Sequence, residues 1–396
     1  MNVTVICDVL GLENNGTSIA AMNLIRSLKS KGHNVRVVCP DSFRRGEEGF
    51  YVVPTMSFGD FLNAYVEKNG VVIAKADEEI ISSAITGADV VHVMLPFFLG
   101  YKARVIACDM NIPLTAGFHC QAENITSHLF LMDAKLLNHL VYKDFYSILY
   151  KYCDAVHYPT EFIKNVFENE VGCKTNAYVI SNGVRDIFKH IPGEKPAEYA
   201  DKFIILFTGR ISKEKNQKIL IDAVSMSKYK NKIQLIFAGS GPLEEKLKEY
   251  AGQTLPVMPV FKFFSQDELV KVMNYSDLYV HPAKVEIEAI SCLEAMACGL
   301  TPIIADSPKS ATRFFAKDER NLFKYDNPTD LASKIDYWIE HPEERQKCGN
   351  DYALSSASFS RDYCMDRMEE MLFDAVKRRK DSENDFIPPC RQEETP

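Results

Sequence analysis

Three carboxylates stand close together in the stretch 284–307, KVEIEAISCLEAMACGLTPIIADS. Glu286, Glu288 and Glu294 lie in or just before an apolar run that is predicted to be a helix ending at Gly299. A helix N-terminus offers free N–H groups to a phosphate, and carboxylates beside it can accept hydrogen bonds from hydroxyls. The pattern therefore predicts a site for a ligand with a phosphate between hydroxylated groups, such as two sugars joined by a diphosphate.

A cationic loop, TGRISKEKN at 208–216, precedes this stretch in the chain. Arg210 and Lys215 follow a run that is predicted to be a buried strand. A diphosphate is bound well by the bidentate fork of Arg together with the point charge of Lys. Surface charge before a helix is the alternative interpretation, and this motif alone leaves both open.

Glycines mark two other strand–helix junctions. FAGSGP at 237–242 places Gly239 and Gly241 after the next predicted strand, where glycine lets the backbone approach a ligand closely. A plain tight turn explains these glycines equally well. ENNGTS at 13–18 places Gly16 and Thr17 before the first predicted helix, which makes this loop a further candidate for contact with the ligand.

The composition is that of a globular protein of 396 residues, which is too long for one core and predicts two domains. An apolar fraction of 46% excludes general disorder, and a net charge of −8 argues against nucleic acid as a partner. Eleven cysteines without a CxxC pair fit neither a zinc site nor a disulfide framework, and predict reduced thiols in the cytoplasm. No basic n-region and no run of about 18–20 apolar residues are present, so we expect a soluble protein, at most peripheral on the inner face of the cell membrane.

The order of apolar runs and helical patterns predicts an α/β protein with two doubly wound, Rossmann-like parallel-sheet domains that face each other across a cleft. Ligands of such sheets bind outside the carboxyl ends of the strands. We expect an N-terminal domain at 1–185 and, after a linker rich in Pro and charge, a C-terminal domain at 186–358. An amphipathic helix at about 359–379 and a mobile tail at 380–396 are predicted to follow.

The carboxylate stretch resembles a known signature. Glu286, seven intervening residues, Glu294 and then AMACG are similar to the E-x7-E motif of retaining glycosyltransferases of family four, which have the GT-B fold. GR-x4-K at 209–215 and AGSGP at 238–242 resemble motifs that stand at the same relative positions in that family. The resemblance extends over nearly the whole chain, and it implies that the C-terminal helix packs back on the N-terminal domain.

The resemblance implies a role for each matching residue. Arg210 and Lys215 would bind the diphosphate of a nucleotide-sugar donor, Glu294 the ribose, and Glu286 the hydroxyls of the transferred sugar. The other residues expected at the donor site are Gly16, Thr17, Gly209, Gly239, Gly241, Phe263, Ile287, Glu288, Ala289 and Ile290, with Gly239 and Phe263 near the base. Asn15 stands where the family has a glycine.

The triplet after Glu286 departs from the family, which often has Gly-Phe-Gly where this chain has Ile287, Glu288 and Ala289. Glu288 adds a charge with no assigned role; it would face either the acceptor or the donor sugar.

The loop AGFHCQAENITSH at 116–128 is expected to serve the acceptor side. A lone histidine after a strand is more often structural, but the family has a histidine near the donor sugar, which implies a catalytic set of His119, Arg210, Lys215 and Glu286. Glu123 and Asn124 are expected to shape the acceptor subsite with His119. No metal site and no cofactor are predicted, because Arg and Lys can neutralise the charge of the leaving group.

The segment 129–154 is the most apolar and aromatic part of the chain. Its stripe of Leu136, Leu140, Tyr146 and Tyr150 predicts either a core helix or an interfacial helix that meets a lipid surface. KRRK at 377–380 likewise suits either anionic lipid or a solvated helix end.

The segment resembles bacterial family members that glycosylate lipids such as diacylglycerol or ceramide. This implies metal-independent transfer of a hexose, from UDP-glucose or UDP-galactose, to a lipid hydroxyl with formation of an α-glycosidic bond. A transferase for capsule or exopolysaccharide is the alternative, and a sugar-nucleotide epimerase or a non-catalytic binding protein remain as further hypotheses. The sequence does not predict an oligomeric state.

Overall fold

The computed structural model describes residues 1–11, 16–56, 74–127, 131, 133–191 and 193–382. The chain divides into two compact units. The N-terminal unit consists of residues 1–182 and the segment that begins at 362, and the C-terminal unit consists of residues 183–361.

Short apolar runs, many with Val and Ile, form the parallel sheet of the N-terminal unit. Its described strands are β1 (Asn2–Ile6), β2 (Asn34–Cys39), β3 (Phe50–Val52), β4 (Val90–Val93), β5 (Leu114–Gly117), β6 (Ala155–Tyr158) and β7 (Ala177–Val179). They lie in the order β3-β2-β1-β4-β5-β6-β7. The strand order reverses between β1 and β4, which is where open α/β sheets bind ligands at the carboxyl ends of their strands.

Helices connect these parallel strands. The described ones are α1 (Gly16–Ser30), α2 (Glu78–Ile85), α3 (Phe98–Asp109), α4 (Ala122–Ser127), α5 (Lys135–Ile148) and α6 (Glu161–Val171). Helix α6 illustrates how local sequence sets the bounds: Thr160 accepts a hydrogen bond from the N–H of Ile163, and Gly172 ends the helix with a left-handed φ of 72°.

A final helix, Arg361–Ser382, packs in the N-terminal unit and is called the C-terminal helix. Its apolar face joins the core under β1 and β2 through Met365, Met368, Met371 and Leu372. Its polar side is tied to the same unit, because Lys31 Nζ lies 2.6 Å from Asp366 Oδ1 and 2.5 Å from Glu369 Oε2.

The C-terminal unit has a second parallel sheet. Its described strands are β8 (Phe203–Thr208), β9 (Ile233–Ala238), β10 (Val260–Lys262), β11 (Leu278–His281), β13 (Pro302–Ala305) and β15 (Leu322–Phe323), in the order β10-β9-β8-β11-β13-β15. A separate parallel pair, β12 (Val285–Glu286) and β14 (Lys309–Ser310), lies in the connections around β13. The order reverses between β8 and β11, so the loops after these two strands flank the expected binding edge.

Helices again cover the second sheet. The described ones are α7 (Gln217–Met226), α8 (Glu244–Thr254), α9 (Gln266–Tyr275), α10 (Ile290–Ala297), α11 (Pro328–Glu340) and α12 (Pro342–Ser355). Phe207, Phe237 and Trp338 are fully buried in one core cluster of this unit. The indole N–H of Trp338 donates to the carbonyl of Arg320 at 3.2 Å, so its burial leaves no unpaired donor.

The prediction of an α/β protein with two doubly wound parallel sheets is confirmed. The C-terminal helix continues to Ser382, three residues beyond its predicted end. The remainder of the predicted mobile tail, residues 383–396, lies outside the described residues.

The segment 129–154 differs from the single stripe that the sequence predicts. Helix α5 ends at Ile148, and Tyr150 lies in a following 3-10 turn. Tyr142 and Tyr150 are buried, whereas Leu136 and Leu140 are 74% and 55% exposed. Helix α5 buries the face that carries Asn138, Tyr142 and Phe145, so Leu136 and Leu140 of the predicted stripe lie on another face of the same helix and are exposed.

Candidate active site

The loop after β8 carries the first group of predicted site residues. Arg210 lies two residues past the strand, and Lys215 ends a short 3-10 turn before α7. The carbonyl of Arg210 accepts a 2.7 Å hydrogen bond from the side chain of Gln217. The N–H of Lys284 donates to the carbonyl of Glu214 at 2.7 Å. Hydrogen bonds from α7 and from the loop after β11 thus hold the Arg210 loop in place.

The glycines after β9 allow this loop to lie close to its neighbour. A Cβ on Gly239 would stand 2.0 Å from the carbonyl oxygen of Gly209, and a Cβ on Gly241 would stand 2.3 Å from that of Ile211. The N–H of Gly209 donates to the carbonyl of Ala238 at 3.0 Å. Close backbone packing accounts for both glycines, and it holds the Arg210 loop against the edge of the sheet.

Glu286 occupies the centre of the candidate site. It lies in β12, where it pairs with Ser310 of β14. Lys215 Nζ contacts its Oε1, and Nε2 of His281 lies 3.1 Å from the same oxygen. Burial alone would raise the pKa of Glu286, but the Lys215 charge and the His281 hydrogen bond outweigh it and lower the pKa to about 2. Glu286 is therefore a fixed carboxylate at neutral pH.

Buried side chains behind Glu286 form a supporting chain. The hydroxyl of Tyr279 lies 3.1 Å from Nδ1 of His281, 3.2 Å from Oγ1 of Thr208 and 3.4 Å from Oγ of Ser291 in α10. Burial lowers the pKa of His281 even though the Glu286 carboxylate opposes the shift. The neutral imidazole donates from Nε2 to Glu286 and accepts at Nδ1.

The sequence reasoning missed Tyr279 and His281. Both are polar residues at alternate positions of a strand that is otherwise apolar, and they are completely buried. Residues two apart in a strand share one face, so this spacing is the signal that could have indicated a buried polar pair.

Helix α10 starts next to Glu286. Its N-cap residue, Ala289, has a left-handed φ of 63°, a conformation that costs a residue with a Cβ about 1–2 kcal/mol. This explains why glycine is frequent at the position in the family that the sequence resembles. Glu288 is buried, with an exposed fraction of 3%, and Ile287 and Ile290 are partly exposed around it.

Glu294 lies in the second turn of α10, and its pKa is shifted in the opposite direction to that of Glu286. Burial raises its pKa to about 8, and the positive charge of Arg185 only partly offsets this shift. The carboxyl group is therefore largely protonated at neutral pH when no ligand is bound.

The remaining predicted donor residues lie at two further places. Phe263 follows β10 and is 63% exposed. Gly16 and Thr17 form the beginning of α1 in the N-terminal unit. Asn15, where the family has a second glycine, lies outside the described residues.

His119 lies two residues beyond β5 in the N-terminal unit. Its ring folds back over Gly117, where a Cβ would stand 2.3 Å from Nε2. Burial, followed by the neighbouring His157 and His92, lowers the pKa of His119 well below its ordinary value. The ring is therefore neutral, and it can exchange hydrogen bonds without offering a positive charge.

Glu123 and Asn124 have partners within the same unit. The hydroxyl of Tyr142 in α5 donates to Oε2 of Glu123 at 2.7 Å. Oδ1 of Asn124 accepts from the N–H of Gln121 at 3.0 Å. These bonds connect α4 to α5 and to the preceding loop, so both residues have structural contacts whatever their role toward an acceptor.

The structure brings together Lys215, Glu286 and the first turn of α10, which Tyr279 and Ser291 connect to the same network. A cation and a helix N-terminus suit an anion, and a fixed carboxylate suits hydroxyl groups. In the part of the chain that the structure describes, no group of three His, Cys, Asp or Glu residues could hold a metal ion. No described helix is long and apolar enough to cross a membrane.

Replacing Gly239 with alanine is expected to destabilise the C-terminal unit, because the new Cβ would collide with the backbone of Gly209. We expect a loss of about 1–3 kcal/mol in the free energy of unfolding, measured by urea denaturation. Gly252→Ala is the control, since helix α8 leaves space for that Cβ and alanine favours a helix. Equal stability of the two variants would contradict the close packing of the loops.

Replacing Glu294 with glutamine is expected to remove a pH-dependent loss of stability. The folded state binds the proton of Glu294 up to a pKa of about 8, above its ordinary value of 4.5, so stability falls as pH rises between these values. We expect Glu294→Gln to match the wild type in thermal unfolding near pH 4.5 and to exceed its Tm by a few degrees at pH 8.5, since about 1 kcal/mol corresponds to roughly 2–4 °C. Glu245→Gln, at an exposed position of α8, is the control. An identical difference at both pH values would show that Glu294 ionises normally.

Models of two protein families match this chain. The model described as Glycosyltransferase Family 4 matches residues 14–186, and the model described as Glycosyl transferases group 1 matches residues 192–353. Together they match most of each unit and contain every predicted site residue.

Individual proteins show the same relationship. The chain is 24% identical, over 73% of its length and 67% of the relative's, to an alpha-monoglucosyldiacylglycerol synthase of Streptococcus pneumoniae. It is 48% identical to the catalytic domain of a cholesterol-alpha-glucosyltransferase from Helicobacter pylori, over 40% of this chain and 99% of that one, with a TM-score of 0.39. The Anabaena protein HepE in complex with UDP has the same fold, with a TM-score of 0.72 at 16% identity over 94% of this chain and all of that one. Because the two family models follow each other along the chain and together match most of it, the chain belongs to the glycosyltransferases that join a family 4 domain to a group 1 domain, and its fold is GT-B.

Proposed function

We propose that this glycosyltransferase moves a hexose from a uridine diphosphate sugar to the hydroxyl of a lipid, with retention and formation of an α-glycosidic bond. The observation that carries the proposal is the Glu286 carboxylate, held by Lys215 and His281 beside the N-terminus of α10. A fixed carboxylate next to a cation suits a ligand whose hydroxylated sugar is joined directly to a diphosphate.

Each group then has a distinct task toward the donor. Arg210 and Lys215 bind the diphosphate and stabilise the negative charge that grows on it as the glycosidic bond breaks. One such interaction contributes about 3–4 kcal/mol to lowering the barrier. Glu286 accepts hydrogen bonds from sugar hydroxyls, and Glu294 accepts them from the ribose. Gly209, Gly239 and Gly241 let the backbone lie close to the nucleotide.

Retention follows if the acceptor hydroxyl enters on the face from which the diphosphate leaves. An oxocarbenium-like sugar forms, as in glycoside cleavage. The departing phosphate oxygen takes the proton of the acceptor hydroxyl, so no separate general base is needed. The neutral ring of His119 contributes a hydrogen bond to the sugar, a role that rests on the family resemblance.

The proposal assigns the neutralisation of the leaving group to Arg210 and Lys215 rather than to a metal ion. Guanidinium and ammonium groups pair well with phosphate oxygens, and Lys215 is already held at the site by Glu286. The donor nucleotide is proposed as uridine diphosphate because HepE, which shares the fold, was crystallised with UDP.

The lipid acceptor is proposed from an exposed apolar face on the N-terminal unit. Leu136 and Leu140 lie one turn apart on α5 and are mostly exposed, and Leu131 just before the helix is 46% exposed. Lys135 and Lys143 on the same helix are also exposed. Apolar side chains flanked by lysines suit the surface of an anionic membrane. The relative from Streptococcus pneumoniae is named for a diacylglycerol product.

Activity is expected to depend on the pair of Lys215 and Glu286. Wild-type protein should release UDP from UDP-glucose or UDP-galactose in the presence of vesicles and EDTA, measured by a coupled assay. Lys215→Ala and Glu286→Gln should each lower turnover by about 10²–10³-fold, because each removes an interaction with the donor.

Lys213→Ala is the matched control for this experiment, since Lys213 is an exposed lysine in the same turn. The double variant Lys215→Met with Glu286→Gln removes the buried charge as well, and should fold stably without regaining turnover. Full activity of either single variant would contradict the assigned roles, and complete loss of wild-type activity in EDTA would contradict metal independence.

Vesicle-dependent turnover is expected to need the exposed face of α5. The double variant Leu136→Glu with Leu140→Glu should sediment less with anionic vesicles and lose most vesicle-dependent turnover, because two carboxylates oppose an anionic apolar surface. Vesicles with diacylglycerol, ceramide or cholesterol, tested one by one, would identify the acceptor lipid.

Leu354→Glu is the control, because Leu354 is 77% exposed on α12 of the other unit. UDP release that no lipid stimulates, with transfer to soluble saccharides instead, would contradict the lipid proposal while leaving the assignment of the donor site intact.

A further inference from the structure

The short turn that carries Lys215 (residues 213–216, called the Lys215 turn) is held on both sides of that residue by other segments of the chain. The carbonyl of Glu214 accepts a hydrogen bond from the N–H of Lys284 at 2.7 Å. The side-chain amide of Asn216 donates to Oδ1 of Asp326 at 3.2 Å. Lys215 therefore lies between two positions that are bound from outside its turn.

Asp326 joins these two contacts to each other. Its Oδ2 accepts a 2.9 Å hydrogen bond from Nζ of Lys284, while its Oδ1 accepts from Asn216. A carboxylate has two acceptor oxygens, so one side chain can bind both partners at once. Lys284 directly precedes β12, which contains Glu286. The carboxylate of Asp326 thus connects the Lys215 turn to the segment that leads into Glu286.

The backbone has an uncommon conformation at both ends of this connection. The φ angle is 56° at Asn216 and 55° at Asp326, which is the left-handed region. Among the described residues, four that are not glycine have a positive φ, and a third of these is Ala289 at the start of α10. Three of the four therefore lie around the candidate site. Such conformations concentrate where a site requires a particular geometry.

The turn that contains Asp326 does not need this carboxylate for its own structure. Asn327 is the N-cap of α11 and accepts from the N–H of Asp330 at 3.0 Å, and Asp330 accepts from the N–H of Lys324 at 2.6 Å. Glycine would adopt the left-handed backbone at lower cost than aspartate. An exposed ion pair adds little to stability, and the side chain of Asp326 is 48% exposed. The contacts with the two other segments are what explains an aspartate here.

We propose that Asp326 is a positioning residue that orders the Lys215 turn, and so holds Lys215 beside Glu286, before a donor binds. It acts through Asn216 and Lys284 rather than through contact with the donor. A turn that is already ordered loses less conformational freedom when its ligand binds, which improves the affinity. That this ligand is the diphosphate of a nucleotide sugar rests on the proposed function, whereas the ordering of the turn does not.

The first test is hydrogen exchange, measured by mass spectrometry on the full-length, ligand-free protein. Asp326→Gly removes the carboxylate but leaves the left-handed backbone accessible. We expect the amides of residues 212–217 to exchange about threefold faster or more in this variant, with the amides of β9 unchanged. The matched control is Asn111→Gly, which removes a side chain from a left-handed position of the N-terminal unit and should not affect residues 212–217. Equal exchange of residues 212–217 in Asp326→Gly and the wild type would overturn the proposal, whether or not the protein is a transferase.

A second variant tests whether Asp326 acts through Asn216. Asn216→Gly also keeps the backbone conformation accessible, and it removes only the amide that donates to Oδ1. We expect faster exchange of residues 212–217 in this variant, and we expect the double variant Asn216→Gly with Asp326→Gly to match Asp326→Gly alone, because both changes remove the same contact. Fully additive effects on exchange would contradict the proposal, since the two side chains would then act separately.

Donor binding separates positioning from a general loss of stability. The Kd of UDP is measured by calorimetry, and KM and kcat are measured with UDP-glucose or UDP-galactose. In Asp326→Gly we expect Kd and KM to rise about three- to tenfold and kcat to change less than about twofold, because the turn has to become ordered on binding. A lower kcat with unchanged Kd and KM would overturn the proposal, since that is the effect of losing folded protein. If the wild type does not bind UDP but exchange changes as expected, the proposed function fails and the ordering of the Lys215 turn by Asp326 is still supported.

Discussion

A buried carboxylate that has to stay charged is the constraint on which the candidate site depends. Glu286 is largely removed from water, and an unpaired charge there would neutralise by taking up a proton. Lys215 and His281 prevent this and lower its pKa to about 2. The requirement couples three parts of the C-terminal unit, since Lys215 comes from the loop after β8, His281 from β11, and Glu286 from the β12–β14 pair.

The loops can meet around Glu286 because the strands are parallel and their carboxyl ends share one edge. Contact also requires that the backbones lie unusually close. Gly239 and Gly241 meet this need by having no Cβ where the backbone of the Arg210 loop passes. The fold therefore requires these two glycines for steric reasons. Any contact that they make with a nucleotide would be an additional role.

The pKa values of two carboxyl groups in the same region are shifted in opposite directions by their surroundings. Glu286 is ionised throughout the physiological range, whereas burial raises the pKa of Glu294 to about 8. Such divergence is common where side chains serve a reaction, because each environment is adapted to a task rather than to stability. The raised pKa of Glu294 in the free protein is what we expect of a buried carboxyl group that gains hydrogen-bond partners only when a ligand binds.

The sequence alone determined the α/β class, the two parallel sheets and the segments that carry Arg210, Lys215, Glu286 and Glu294. Those features follow from the periodicity of apolar residues and from local spacing, which are properties of neighbouring residues. Tertiary structure decided which other side chains contact these site residues. Lys215 reaches Glu286, 71 residues further along the chain, and His92 and His157 lie near His119, only because strands far apart in sequence lie side by side. It also decided which face of α5 is buried, since Tyr142 and Phe145 lie in the core while Leu136 and Leu140 stay exposed, and the spacing of apolar residues does not say which of two apolar faces meets a neighbour.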